Sequence, residues 1–194
     1  MPTPPLPPNE SDRLNALRQY DTLNSDGDST LADLVSVAAF VCRASIAFIG
    51  FVDSDRQYIK ASVGFPLGEL ARDDAICAYT ILQPQVVYIR NLHGDHRFTS
   101  NPLVVSEPHA GSYAGVPLVT PAGYAIGTLA VMDQAPLNLD ANQKDVLRVL
   151  GRQAIAHLEL RRSVRDLASV VADRERAETE LRQNKNQLQI VAAN

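Results

Sequence analysis

The chain has 194 residues, 45% of them hydrophobic, which suits one ordinary domain with an appendage and excludes wholesale disorder. Its formal net charge of −4 argues against a nucleic-acid or anionic-membrane surface, since both need a basic footprint. No apolar run approaches the roughly 18 residues of a membrane span. Cys42 and Cys77 lie in apolar surroundings rather than in a paired framework, as expected of a reducing, cytoplasmic setting.

Five prolines fall in the first eight residues without a basic n-region, so residues 1–8 read as a polyproline-type tail rather than a signal peptide. Asn9 to Tyr20 reads as a short helix capped by Ser11, with Leu14 and Leu17 on one side. Asp26-Gly27-Asp28-Ser29 is a turn ending in capping residues. Behind it Leu31, Leu34, Val35, Ala38, Ala39 and Cys42 recur at helical spacing.

Ile46 to Val52 is a continuous apolar run, Gln57 to Val63 alternates, and the four-residue connection predicts an antiparallel hairpin. Arg72 to Leu82 is expected to be helical, followed by a strand from Val86 to Ile89 and an irregular stretch from Asn91 to Gly111. Ser112 to Val119 and Tyr124 to Met132 form a second hairpin, whose turn Thr120-Pro121-Ala122-Gly123 suits type I. Asp140 with Gln143 opens a capping box. From there to Asn194 there is no Pro and one Gly, Gly151, so the last helix is expected to exceed about 50 residues and to leave the domain. The order of elements predicts an α+β fold, an antiparallel sheet of about five strands with helices on its faces. Such a sheet commonly leaves a concave space opposite an irregular segment, where small ligands bind.

Several blocks, taken in order, resemble a GAF domain of the subtype found N-terminal to PAS, histidine kinase or diguanylate cyclase modules in bacterial sensors. They are Asn9-Glu10 with Arg13 to Leu17, Val52-Asp53 with Asp55-Arg56-Gln57 and Lys60, and Arg97-Phe98 with Asn101 to Val104. Tyr113 to Leu118 and Gly127 to Val131 with Asp133 complete the set. The resemblance runs from about Asn9 to Arg162. It implies a GAF-like sheet of five to six strands, a sensory domain over residues 9–160, and a signalling helix over 161–194 leading to an effector domain. Gly115 and Gly127 are read as places where a helix or ligand approaches the backbone, and Pro117 as an edge, a bulge or an outward-facing ladder position.

The expected pocket lining is Phe51, Cys77, Thr80, Phe98, Asn101, Tyr113 and Thr128, from the pocket face of the strands, the roofing helix and the irregular loop. Face assignment in a strand flips with a one-residue error. Cys77 is a candidate redox or chromophore-attachment residue. Against that, bilin-binding relatives carry a Cys-His pair in the segment before the second hairpin, and Phe98 to His109 has no cysteine. His93, His96 and His109 lack the spacing of a metal site, and His157 lacks the kinase domain that a phosphoacceptor would need. No catalytic motif, metal site or cofactor is expected, nor is the cyclic-nucleotide-binding signature Asn-Lys-Phe-Asp-Glu present.

Leu160, Val164, Leu167, Val171, Arg174, Glu178, Leu181, Lys185 and Leu188 step by four and three, a coiled-coil seam interrupted by charge. A second register through Ala177, Leu181, Asn184, Leu188 and Val191 follows a three-residue slip near Arg174. With Leu150 upstream, this helix is expected to join two copies as a homodimer. The sequence thus predicts a non-catalytic sensory module of a signalling protein, of the kind found in two-component systems. Its alternatives are a dimerisation module without ligand and a chromophore- or redox-sensing domain using Cys77.

Overall fold

The computed structural model describes residues 2–20 and 28–192, the side chains of Glu180 and residues 182–192 excepted. Two compact units divide the chain, Met1–Leu158 and Glu159–Asn194.

In the first unit the N-terminal helices are α1 (Glu10–Gln19) and α2 (Ser29–Cys42). Strands β1 (Ile46–Val52), β2 (Arg56–Val63) and β3 (Gly68–Ala71) follow. A single-turn helix α3 (Cys77–Thr80), strand β4 (Val87–Ile89) and a second single-turn helix α4 (Pro102–Val105) lead to β5 (Ser112–Val119) and β6 (Ala125–Asp133). The last helix, α5, spans Ala141–Ala192, 52 residues. Its Asp140–Gln143 capping box forms as the sequence predicts, with Gln143 N donating to Asp140 Oδ1 and Asp140 N to Gln143 Oε1, at 2.8 and 2.9 Å. Among the described residues no helix is long and apolar enough to cross a membrane.

The six strands form one antiparallel sheet ordered β3-β2-β1-β6-β5-β4. Both predicted hairpins are present. Gly123 N donates to Thr120 O at 2.8 Å, closing the second. Pro117 lies in an interior strand but beyond β4, which begins at Val87 opposite Gly115, so no β4 residue faces it. The sheet separates two cores. α1, α2 and the first part of α5 cover one face, burying Leu17, Leu31, Val35, Phe51, Leu147 and Leu150. α3, α4 and the connecting segments cover the other, burying Phe48, Ile76, Leu92, Phe98 and Tyr113.

Several expectations need correction. Arg72 to Leu82 is not one helix: Arg72–Asp74 form a single 3₁₀ turn and Ala75 is extended, so the α-turn begins only at Cys77. The cause is long-range. Arg72 is drawn to the tip of the β1–β2 hairpin, donating to Asp53 O at 2.8 Å and to the Glu10 carboxylate. β3 falls between the predicted elements, and α4 within the stretch read as irregular. α1 has Asn9, not Ser11, at its N-cap, and no side-chain cap bond. In α2 the cap is Asp28, which accepts from Leu31 N. Asp26 and Gly27 lie outside the described residues.

The blocks Asn9 to Leu17 and Val52 to Arg56 prove to be parts of one structure. Arg13, 1% exposed, grips Glu10 through Nε and Nη2 at 2.7 and 2.8 Å and donates to Val52 O at 2.6 Å. One carboxylate thus holds two buried guanidiniums and ties α1 to the sheet end and to the turn before α3. Arg72 keeps two buried N–H groups, Nε and Nη2, without partners. At the opposite end of β1, Asp133 accepts from Ser45 N and Ala135 N at 2.8 and 2.9 Å. Burial raises its pKa, but these N–H bonds win and hold it below the ordinary carboxylate value.

Gly127 and Gly115 are tight, and the atoms nearest each belong to the sheet rather than to a helix. A Cβ at Gly127 would stand 2.4 Å from Gly50 O in β1, and one at Gly115 2.2 Å from the phenol oxygen of Tyr113.

Candidate functional site

The face of the sheet covered by α3 is mostly apolar but carries a connected group of four polar side chains. Tyr113 of β5 and Thr128 of β6 point up from the sheet, and Cys77 and Thr80 point down from α3. Thr80 Oγ1 lies 2.7 Å from Tyr113 Oη, and Tyr113 Oη lies 3.5 Å from Cys77 Sγ. Thr128 Oγ1 donates to Cys77 Sγ at 2.9 Å. All four are almost wholly buried. They form a continuous chain of hydroxyl, phenol and thiol across the gap between sheet and helix.

Burial sets the protonation of this chain. It pushes the Cys77 thiol above its ordinary pKa, and the bonds from Thr128 and Tyr113 offset only part of the rise. The Tyr113 phenol is raised well above its usual value, first by burial and then by the neighbouring thiol. At neutral pH both are uncharged. A protonated, buried thiol is a poor nucleophile. Cys42, on the other face, is pushed to about 11, mainly by burial.

Phe98 and Asn101 lie on the same side but do different work. Phe98 packs edge-on against Tyr79 of α3 with centroids 5.1 Å apart, and the Arg97 guanidinium covers its ring at 4.9 Å. Asn101 caps α4, accepting from Leu103 N at 2.9 Å, and donates to Asp74 O at 2.8 Å. Its side chain therefore binds the cover together. Phe51 does not join the site. It points to the opposite face, against Tyr58 with centroids 5.5 Å apart. All seven residues of β1 are buried, so its sequence carries no alternation to mark the pocket side, which belongs to Phe48, Gly50 and Val52.

One residue of this face escaped the sequence reading. Gln57 of β2 is 1% exposed, and its side chain reaches the Cys77 thiol. Neither its Nε2 nor its Oε1 meets hydrogen-bond geometry with any protein group. The signal was its parity with Ile59, which is also on the pocket face.

Elsewhere the candidates separate. His96 and His109 are exposed, and among the described residues no cluster of three or more His, Cys, Asp or Glu could hold a metal. His157 Nε2 lies 2.8 Å from Asp28 Oδ2, joining the first unit's part of α5 to the cap of α2. Leu150 belongs to the helix-side core, 8% exposed, and is not on an open seam. Leu160, Val164, Leu167, Val171 and Leu181 are each more than half exposed along one side of α5. The side chain of Leu188, and the second register beyond Leu181, lie outside the described residues.

The model of the GAF domain family matches residues 26–158. A cyclic di-GMP phosphodiesterase of Pseudomonas aeruginosa is 35% identical over 136 residues, covering 70% of this chain and 23% of that protein. The chain thus spans less than a quarter of that relative's length. The GAF domain of an Acinetobacter phosphoenolpyruvate-protein phosphotransferase superposes with a TM-score of 0.60 at 19% identity, over 82% of this chain and 98% of that one. Residues 122 to 287 of a methyl-accepting chemotaxis protein give 0.57 at 21%, over 77% and 99%. These likenesses establish the fold. With the family model spanning well over half its length, the chain belongs to the GAF family, whose domains serve as regulatory modules of signalling proteins.

Proposed function

We propose that this chain is the sensory module of a cytoplasmic multidomain signalling protein. It binds a small ligand between α3 and the sheet, dimerises along α5, and passes occupancy through that helix to an effector domain. The observation that carries the reading is the chain Thr80–Tyr113–Cys77–Thr128 inside a mostly apolar core. Buried polar groups cost desolvation that packing alone does not require, and a few converging ones in an apolar wall are how ligand sites achieve specificity. The neutral, inaccessible Cys77 thiol supports a binding role over catalytic, redox or chromophore-attaching ones. The Pseudomonas relative, a phosphodiesterase of which this chain matches a minor part, supports a regulatory segment attached to an effector.

Native mass spectrometry of the purified chain tests the ligand. A retained small mass on each protomer is the expected result. An empty dimer instead favours the purely structural module, for which the tight cover over the site speaks.

The dimer is supported by the exposed apolar seam of α5 and, in the first unit, by Phe40 and Val37 on α2, 83% and 44% exposed. Surfaces of this kind mark interaction sites. Replacing both Leu167 and Leu181 by Asp places two charges per helix in the seam. Size-exclusion chromatography with light scattering is expected to show monomers, with unchanged circular dichroism of the sheet. A dimer that survives both substitutions removes the coiled coil.

A further inference from the structure

We infer that the ligand of this face is a small uncharged molecule with a hydrogen-bond donor beside an acceptor, a carboxamide or lactam edge, which pairs with the side chain of Gln57. The inference rests on the sensory reading above and narrows it to a class of ligand. Gln57 is 1% exposed, and neither polar atom of its carboxamide makes a bond of hydrogen-bond geometry, the Cys77 thiol that it reaches included. It sits over Gly50, where a Cβ would stand 2.5 Å from Nε2, so the sheet omits a side chain where this one is placed. A buried donor and acceptor left unmade are each costly, and such groups are rare in folded proteins. Packing does not explain the choice, because methionine fills the same length without polar atoms.

The carboxamide offers an N–H and a C=O side by side in one plane. A second amide edge matches both at once, through two parallel hydrogen bonds. The remaining polar wall, Thr80, Tyr113, Thr128 and Cys77, supplies only neutral hydroxyl and thiol groups. The Asn101 carboxamide is engaged with Leu103 and Asp74. The two buried arginines, Arg13 and Arg72, are both held by the Glu10 carboxylate at the sheet end. Arg97 in the cover is paired with Asp95 at 2.6 Å, so an ion bound against this wall loses its water without meeting a free counter-charge, which selects against charged ligands. The cover over the site consists of two single-turn helices and their connecting segments, which can shift to admit a ligand while the sheet stays intact.

Thermal melting of the full chain tests the inference. Gln57→Met keeps the length and removes both unpartnered atoms, so it is expected to raise the ligand-free Tm by about 2–6 °C. Nicotinamide and uracil, as neutral amide and lactam probes, are expected to raise the Tm of the parent chain and not that of Gln57→Met. Their carboxylate counterparts nicotinate and orotate are expected to leave both unmoved. A lower Tm for both Gln57→Met and Gln57→Leu overturns the inference, because the carboxamide is then satisfied within the fold. A larger shift from nicotinate or orotate also overturns it, while leaving a sensory site that takes an anion. If all four compounds are inert and the native mass spectrum is empty, the sensory reading falls with it.

Discussion

Glu10→Ala is expected to lower the stability of the domain by about 2–4 kcal/mol, a fall in Tm of roughly 4–15 °C. The substitution strands two guanidiniums at once. Arg13 is 1% exposed and Arg72 5%, and Arg72 already has two N–H groups without partners. The effect lies somewhat below that of breaking a fully buried pair, because the Glu10 side chain is 16% exposed and water screens part of the interaction. The pH dependence is the sharper test. Burial raises the Glu10 pKa, but hydrogen bonds and charge from Arg13 and Arg72 outweigh it and hold the pKa below the ordinary 4.5. A depressed folded-state pKa stabilises the fold above the unfolded pKa, and the contribution is lost as pH falls through the folded value. The Tm gap between the parent and Glu10→Gln is therefore expected to be constant from pH 7 to about 5 and to close below about 4.5. A gap that does not begin to narrow as pH falls below about 4.5 contradicts the proposed ion network.

The second large effect is expected at Gly127. An alanine there puts its Cβ 2.4 Å from Gly50 O and 3.0 Å from Phe51 Cα. Both are main-chain atoms of β1, which is hydrogen-bonded on one side to β2 and on the other to β6. The strand cannot retreat without breaking one of these ladders. A loss of about 3 kcal/mol follows, at the upper end of ordinary overpacking. Gly115→Ala meets a side chain instead, the Tyr113 phenol, which can move by giving up its bond to Thr80. Its cost is expected to be smaller and to appear in the pocket. Urea denaturation checks both: the midpoint is expected to fall much further for Gly127→Ala than for Gly115→Ala. Near-equal midpoints mean that the β1–β6 register is not the one described.

The parts of the fold legible from sequence are those set by local chemistry. The Asp140–Gln143 box, the Thr120–Gly123 turn and the apolar stripe of α2 each depend on residues within one or two turns of each other. The site was legible where parity was unbroken: Tyr113 and Thr128 emerge on the pocket face together with Cys77 and Thr80. Three misses share a cause in long-range contacts or irregular ladders. Phe51 sits in a strand apolar on both faces, so nothing in its neighbours marks the side. The helix expected from Arg72 is cut short by partners in α1 and the β1–β2 hairpin, far away in sequence. Gln57 was hidden by a bulge. Ile49 pairs with Ala61 but Gly50 with Ile59, so Lys60 is an extra residue that reverses the parity of β2. Counted back from Ala61, which faces the helix-side core, Gln57 is assigned to the wrong face.

The unequal covering of the sheet has a dynamic consequence. One face lies under α1, α2 and the first turns of α5. The other is closed by two helices of four residues each and by the Arg97 ring contacts. Single-turn helices have little intrinsic stability and hold only through what they pack against. Local opening of the α3–α4 layer therefore needs far less free energy than global unfolding, while the three-helix face opens only when the whole domain does. The plane of the sheet thus separates a slow-breathing layer from a fast one. Residues adjacent along β1 or β5 belong to different kinetic regimes, according to the face on which their side chains lie.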